Sequence, residues 1–147
     1  MSENEDDILE ARFFEYIKLE HADLFDQIEV EELTINETLK NVFLIASQNT
    51  AKITFYVLEK TISYEFQEYH SGINLFPYPE KGFETFIDFL RELIEDKKVL
   101  VSWSDGEPVA FAEIIPAGEE SAYDFLWEEA EQVTLSSWSG KLDRTLK

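Results

Sequence analysis

The sequence predicts an α+β protein with a mainly antiparallel sheet of five to seven strands, two main helices packed on the sheet, and a possible short third helix. In two segments apolar residues recur every three to four positions, which is typical of amphipathic helices. Between and after these segments apolar residues alternate with polar ones, which is typical of strands. Short turns separate most of these strand-like runs, and tight turns favour antiparallel pairing.

Two main helices are predicted from this spacing. The first extends from about Asp6 to Phe25, and its acidic first turn suits the positive end of a helix dipole. Its apolar face is formed by Leu9, Phe13, Phe14, Ile17, His21 and Leu24. The second helix ends in Lys97-Lys98, which suit the negative end of a helix dipole. It has the clearest apolar stripe in the chain, formed by Phe83, Phe86, Ile87, Leu90, Leu93 and Ile94.

Seven runs with a period of two predict the strands. They lie at residues 28–31, 42–47, 51–59, 61–69, 99–104, 107–115 and 133–138. Ala51–Glu59 is largely apolar on both faces, so we expect this strand at the centre of the sheet. Gln48-Asn49-Thr50 and Asp105-Gly106 predict hairpin connections. His70–Pro79 reads as a loop and Ser121–Glu131 as the short acidic helix.

Length and composition limit the classes of protein to which the chain can belong. The chain has 147 residues, and we interpret residues 1–147 as a single acidic domain. It contains no cysteine, which excludes disulfides, thiolate nucleophiles and cysteine-ligated metals. The acidic start lacks the basic and apolar runs of a secretory signal, and the apolar runs are too short to span a bilayer. The predicted location is therefore the cytoplasm.

The charge distribution predicts the class of partner. Thirty-two acidic residues oppose twelve basic ones, giving a net charge of −20. Residues 1–37 carry thirteen acids against Arg12 and Lys18, and residues 99–140 carry nine acids with no lysine or arginine. Nucleic acid and anionic membranes would repel such a chain, whereas a basic protein would be attracted. We therefore expect a basic protein partner, with no nucleic acid and no membrane.

The sequence contains few candidate residues for catalysis or for binding a metal ion. His21 lies on the apolar face of the first predicted helix and is interpreted as structural. His70, with Tyr69 and Glu68, lies where a strand meets a loop, and such places often hold sites. No nucleophile or second ligand stands at a recognisable spacing from His70, and the chain has no phosphate loop, nucleophile elbow or calcium loop. The sequence thus predicts no catalytic residue, no cofactor and no metal ion.

Two short segments repeat one pattern, Ser102-Trp103-Ser104 and Ser137-Trp138-Ser139. Each tryptophan is interpreted as a core residue, the alternative being an anchor presented to a partner. Tyr69-His70, the 99–106 segment VLVSWSDG and the 137–144 segment SWSGKLDR together resemble small bacterial immunity-type proteins of polymorphic toxin loci. The resemblance covers the second half of the chain, and where that group has another histidine shortly after the first, this chain has Gly72. It implies an immunity-like role and implicates no particular residues.

The leading hypothesis is an acidic binding protein that inhibits a basic partner, most specifically an immunity-type inhibitor of a nuclease toxin. A nuclease cleft is positive because it binds phosphate, and an acidic domain can be steered onto it. The predicted partner-binding residues lie in the acidic segment near the C-terminus: Glu119, Glu120, Tyr123, Asp124, Trp127, Glu128 and Glu129. The secondary candidates are Glu29, Glu31, Glu32, Tyr69 and His70. The alternatives are an enzyme with a site around His70 and an acidic scaffold or stress protein without catalytic activity.

Overall fold

A computed structural model describes residues 5–48, 51–67, 69–104, 111–126 and 128–147. The predicted α+β class is confirmed, and the strands divide between a five-stranded and a four-stranded sheet. The elements are α1 (Glu5–Glu20), α2 (Ala22–Phe25), β1 (Glu29–Ile35), β2 (Thr38–Ala46), β3 (Lys52–Leu58), β4 (Thr61–Phe66), β5 (Tyr69–Asn74), α3 (Pro79–Ile94), β6 (Lys98–Ser104), β7 (Phe111–Pro116), a 3-10 helix (Glu120–Leu126), β8 (Gln132–Ser136) and β9 (Arg144–Thr145). None of the helices in the described part of the chain has the length and apolar character that a membrane crossing requires.

The chain folds into two compact units. The first takes in the residues up to Ala46 together with Lys52–Glu65 and His70–Asp88. The second takes in Ser47–Ala51, Phe66–Tyr69 and Phe89–Lys147. The interpretation of residues 1–147 as a single domain stays a prediction.

The first predicted helix is interrupted at His21. The backbone of His21 leaves the helical region, with φ −141°. The His21 carbonyl accepts the N–H groups of Leu24 and Phe25, both at 3.0 Å. The residue thus ends α1 and begins the single turn of α2. The histidine is half-buried and its Nε2 lies 3.2 Å from the Tyr16 hydroxyl. The apolar spacing continues across the break, so the sequence pattern alone predicted one continuous helix.

The core of the first unit is built from aromatic side chains of α1, β3 and α3. The strand order β1-β2-β3-β4-β5 confirms Ala51–Glu59 as the source of the central strand. Phe55 of β3 lies with its ring centroid 6.0 Å from that of Phe13 and 4.9 Å from that of Phe86. Phe83 stacks on Phe13 at 5.0 Å. All four rings are almost completely buried, so both helices cover the same face of the sheet.

The loop predicted over His70–Pro79 was wrong in its first half, because residues 69–74 form β5. Gly72 and the two prolines suggested a loop, but Pro77 and Pro79 follow the strand and do not interrupt it. A Cβ at position 72 would lie 2.7 Å from Cγ2 of Thr61 on β4. Gly72 therefore permits a close approach of β5 to its neighbour.

The second unit contains the four-stranded sheet in the order β7-β6-β8-β9. β6 pairs antiparallel with β7 from Lys98 opposite Pro116 to Trp103 opposite Phe111, as the hairpin signal predicted. The Asp105-Gly106 connection itself, like Asn49-Thr50, lies outside the described residues. Six buried residues form the core of this unit: Val99, Val101, Ile115, Ala130, Val133 and Leu135.

Candidate functional site

Within the acidic segment, Glu120–Leu126 forms a 3-10 helix, where the sequence predicted a short acidic helix over Ser121–Glu131. A 3-10 helix has three residues per turn, so residues four apart do not share a face. Tyr123 is half-buried and packs against the core of the second unit, while Trp127 lies outside the described residues. The prediction that Trp127 contributes to partner binding therefore falls outside the described residues.

Glu120 differs from its acidic neighbours. Its side chain is only 15% exposed, and its Oε2 accepts a hydrogen bond from Nη2 of Arg144 at 3.1 Å. Its Oε1 accepts the backbone N–H of Gly118 at 2.9 Å. The Glu120 carboxylate therefore links the segment around Gly118 to β9. Four predicted partner-binding residues do have exposed side chains: Glu119, Asp124, Glu128 and Glu129.

The SWSGKLDR segment forms a loop closed by its own side chains. Oδ1 of Asp143 accepts the backbone N–H of Ser137 at 2.6 Å, and Oγ of Ser137 accepts the N–H of Leu142 at 3.1 Å. Asp96, in the turn that follows α3, accepts the N–H of Ser139 through Oδ1 at 3.1 Å. These bonds give the polar residues of the motif structural roles.

The two tryptophans are packed as core or near-core residues. Trp138 is 7% exposed, and its ring stacks on Phe66 with centroids 6.1 Å apart. Trp103 is half-buried and stacks on Phe111 at 6.0 Å. Neither stands out from the sheet as an isolated anchor.

His70 lies exposed on β5 at a surface depression of about 390 Å³. The depression is also lined by Tyr56, Ser63, Tyr64, Glu65 and Ser71. Within the described part of the chain, no hydrogen bond joins His70 to Ser63 or Ser71, the two serines of this depression. Nor do three histidine, aspartate or glutamate side chains gather as metal ligands among residues 5–48, 51–67, 69–104, 111–126 and 128–147. Glu68 lies outside the described residues.

The most distinctive surface is the β1–β2 hairpin, residues 29–46. β1 is the first strand of its sheet and pairs only with β2 among the described strands. Six of its seven residues are exposed and the seventh, Ile35, is half-buried. β1 carries three exposed carboxylates and two partly exposed apolar side chains, Val30 at 49% and Leu33 at 48%. Leu39, across the ladder on β2, is 64% exposed.

The hairpin turn fixes which backbone groups point outward. Asn36 and Glu37 have φ values of 50° and 67°, as in the two-residue type I′ turn that matches strand twist. Ile35 and Thr38 close the turn and form the first hydrogen-bonded pair. Pairs alternate along an antiparallel ladder, so the N–H and C=O groups of Val30, Glu32 and Thr34 face away from β2.

The hairpin sequence contains one basic residue, Lys40, and its side chain is buried. Lys40 is 5% exposed, and its Nζ lies 3.9 Å from carboxylate oxygens of Asp7 and Glu10 on α1. Nδ2 of Asn41 donates to Oε2 of Glu10 at 3.2 Å. These contacts tie β2 to α1, and the charge that the hairpin presents to solvent is therefore negative.

The candidate site is thus the edge strand β1 with its exposed apolar neighbours. In the sequence, Glu29, Glu31 and Glu32 are only secondary candidates, because the strand order that exposes both faces of β1 is not encoded in the local pattern. Comparisons with protein-family models, with curated proteins and with solved structures found no match.

Proposed function

We propose that the protein is an acidic binding protein that inhibits a basic protein partner and that β1 is its principal contact surface. The observation that carries this proposal is the exposure of both faces of a seven-residue strand that holds Glu29, Glu31 and Glu32. In its most specific form, the protein is an immunity-type inhibitor of a nuclease toxin. The resemblance in the second half of the sequence supports that form.

The mixture of charged and apolar side chains suits protein recognition. The three carboxylates would attract a positive surface over a distance and speed the encounter. Val30, Leu33 and Leu39 would then supply apolar area, which charge alone does not provide. Buried Lys40, held by Asp7 and Glu10, leaves no cation on the hairpin surface to oppose a basic partner.

The exposed acids at Glu119, Asp124, Glu128 and Glu129 form a second acidic surface in the other unit. We assign them a supporting role in long-range attraction. Their segment combines exposed carboxylates with a half-buried Tyr123, whereas β1 combines carboxylates, apolar side chains and free backbone groups.

Charge reversal on β1 tests the proposal. The variant Glu29→Lys, Glu31→Lys, Glu32→Lys should slow association with a nuclease toxin that the wild-type chain inhibits by at least tenfold and abolish protection of cells from that toxin. The matched control reverses three exposed acids on the helices, Glu15, Glu20 and Glu84, with the same change in net charge. The control should retain most of the binding, measured by stopped flow.

Salt dependence gives the second readout. Association of the wild-type chain should slow markedly from low to physiological salt, because screening shortens the reach of exposed charges. Rates that stay flat, equal losses in both triple variants, or cells left unprotected by the wild-type chain would overturn the proposal.

A further inference from the structure

We infer that β1 binds its partner by strand addition: an extended segment of a basic protein pairs with the outward edge of β1 and becomes the sixth strand of the sheet. This inference rests on the proposed function and specifies how the same surface binds. The outward N–H and C=O groups of Val30, Glu32 and Thr34 are the pairing groups.

The edge lacks most of the features that protect natural edge strands against pairing. Such strands are kept short, contain proline or a bulge, or carry charged side chains, and β1 has only the last of these, in the form of glutamates that repel like charge and attract basic side chains. β1 has seven residues and contains neither proline nor lysine. Its register with β2 is continuous from Glu29 opposite Leu44 to Ile35 opposite Thr38, so no bulge interrupts it. A regular edge of this length can accept a strand of similar length.

The negative charge of β1 determines which kind of segment can pair with its edge. A second copy of this chain would bring β1 against β1, and glutamates on the two strands would lie near one another at a destabilising separation. A strand with lysine or arginine would instead place opposite charges across the new ladder. Glu31 and Glu32 point to opposite faces of the sheet, as neighbours in a strand do. The partner segment therefore carries basic side chains on both faces, with apolar ones near Val30 and Leu33.

Substitution by proline at Thr34 separates backbone pairing from charge. Thr34→Pro removes an outward N–H without removing a hydrogen bond to β2 and without changing the charge. Thr34→Val keeps the N–H and is the matched control. The probe is a ten-residue peptide in which pairs of lysines alternate with pairs of valines, so that each face of the extended peptide carries both residue types. Its control peptide has N-methyl groups on two adjacent central residues, so neither of its edges can pair through the centre.

Strand addition predicts that the N-methylated peptide binds the wild-type chain at least tenfold more weakly than the unmodified peptide. Thr34→Pro should weaken binding of the unmodified peptide by a similar factor, and Thr34→Val should not. Hydrogen exchange of the Val30, Glu32 and Thr34 amides should be fast in the free protein and slowed in the complex. The peptide control and the exchange measurement use the wild-type chain, so they stay decisive even if Thr34→Pro folds poorly.

The results of these experiments distinguish failure of strand addition from failure of the proposed function. Equal binding of both peptides with unprotected amides, or no binding of the unmodified peptide, overturns strand addition. If the Glu29, Glu31 and Glu32 reversal still abolishes toxin binding in that case, the proposed function survives with a side-chain interface. If that reversal also has no effect, both fail. A wild-type dimer in sedimentation that dissociates in Thr34→Pro would identify a second copy as the occupant and overturn the choice of a basic segment.

Discussion

The carboxylate of Asp6, in the first turn of α1, accepts the backbone N–H of Lys60 at 2.9 Å in the turn between β3 and β4. Its second oxygen accepts the N–H of Glu59 at 2.8 Å. Both turn residues have left-handed backbones, with φ values of 53° and 59°. Asp6 is 9% exposed, so one nearly buried carboxylate holds a helix start and a strained turn together.

We expect Asp6→Ala to destabilise the protein by about 1–3 kcal/mol, because two backbone N–H groups of the turn lose a charged acceptor that is itself nearly buried. Asp6→Asn should cost less, since the amide oxygen still accepts one of the two bonds. Urea unfolding of the variants measures the change in the free energy of unfolding. Glu15→Ala, at an exposed position on the same helix, is the control and should stay within about 0.5 kcal/mol of wild type. An Asp6→Ala variant as stable as the control would contradict this role.

The sequence could predict Asp6 only as a residue suited to a helix start. Its partners lie 53 and 54 positions away, and a tertiary contact of that kind leaves no local pattern. For the same reason, the sequence predicted only part of the structure of β1. Alternation around Val30 predicted a strand, but its position at the sheet edge depends on which strands pair, which periodicity does not encode.

Residues 119–129 illustrate a second limit. Six acids lie between residues 117 and 131, which predicted solvated carboxylates on a helix, and most described ones are exposed. Glu120 is the exception because Arg144, near the end of the chain, folds back onto it. The choice of a 3-10 helix over an α-helix was equally hidden, since this segment is too short for a repeating apolar stripe to decide.

The structure therefore predicts unequal effects of charge reversal within this segment. Glu120→Lys should destabilise the fold by about 1–2 kcal/mol, because it removes the acceptor of the Gly118 N–H and places a lysine beside Arg144. The combined reversal Glu119→Lys, Glu128→Lys, Glu129→Lys should change stability little, because these side chains are exposed. Thermal or urea unfolding of the two proteins provides the comparison. Equal stabilities would show that the contact with Arg144 contributes nothing measurable.

The last prediction addresses the alternative of an enzyme with a site around His70. A serine nucleophile that a histidine activates is typically hydrogen-bonded to that histidine, and the described residues give His70 no bond to Ser63 or Ser71. We therefore expect His70→Ala to leave both partner inhibition and the free energy of unfolding close to wild type. Binding kinetics and urea unfolding measure the two quantities, and Ser63→Ala at the same depression serves as the matched variant. A hydrolytic activity of the purified protein that both substitutions abolish would reverse the ranking and make the depression on β5 the functional site.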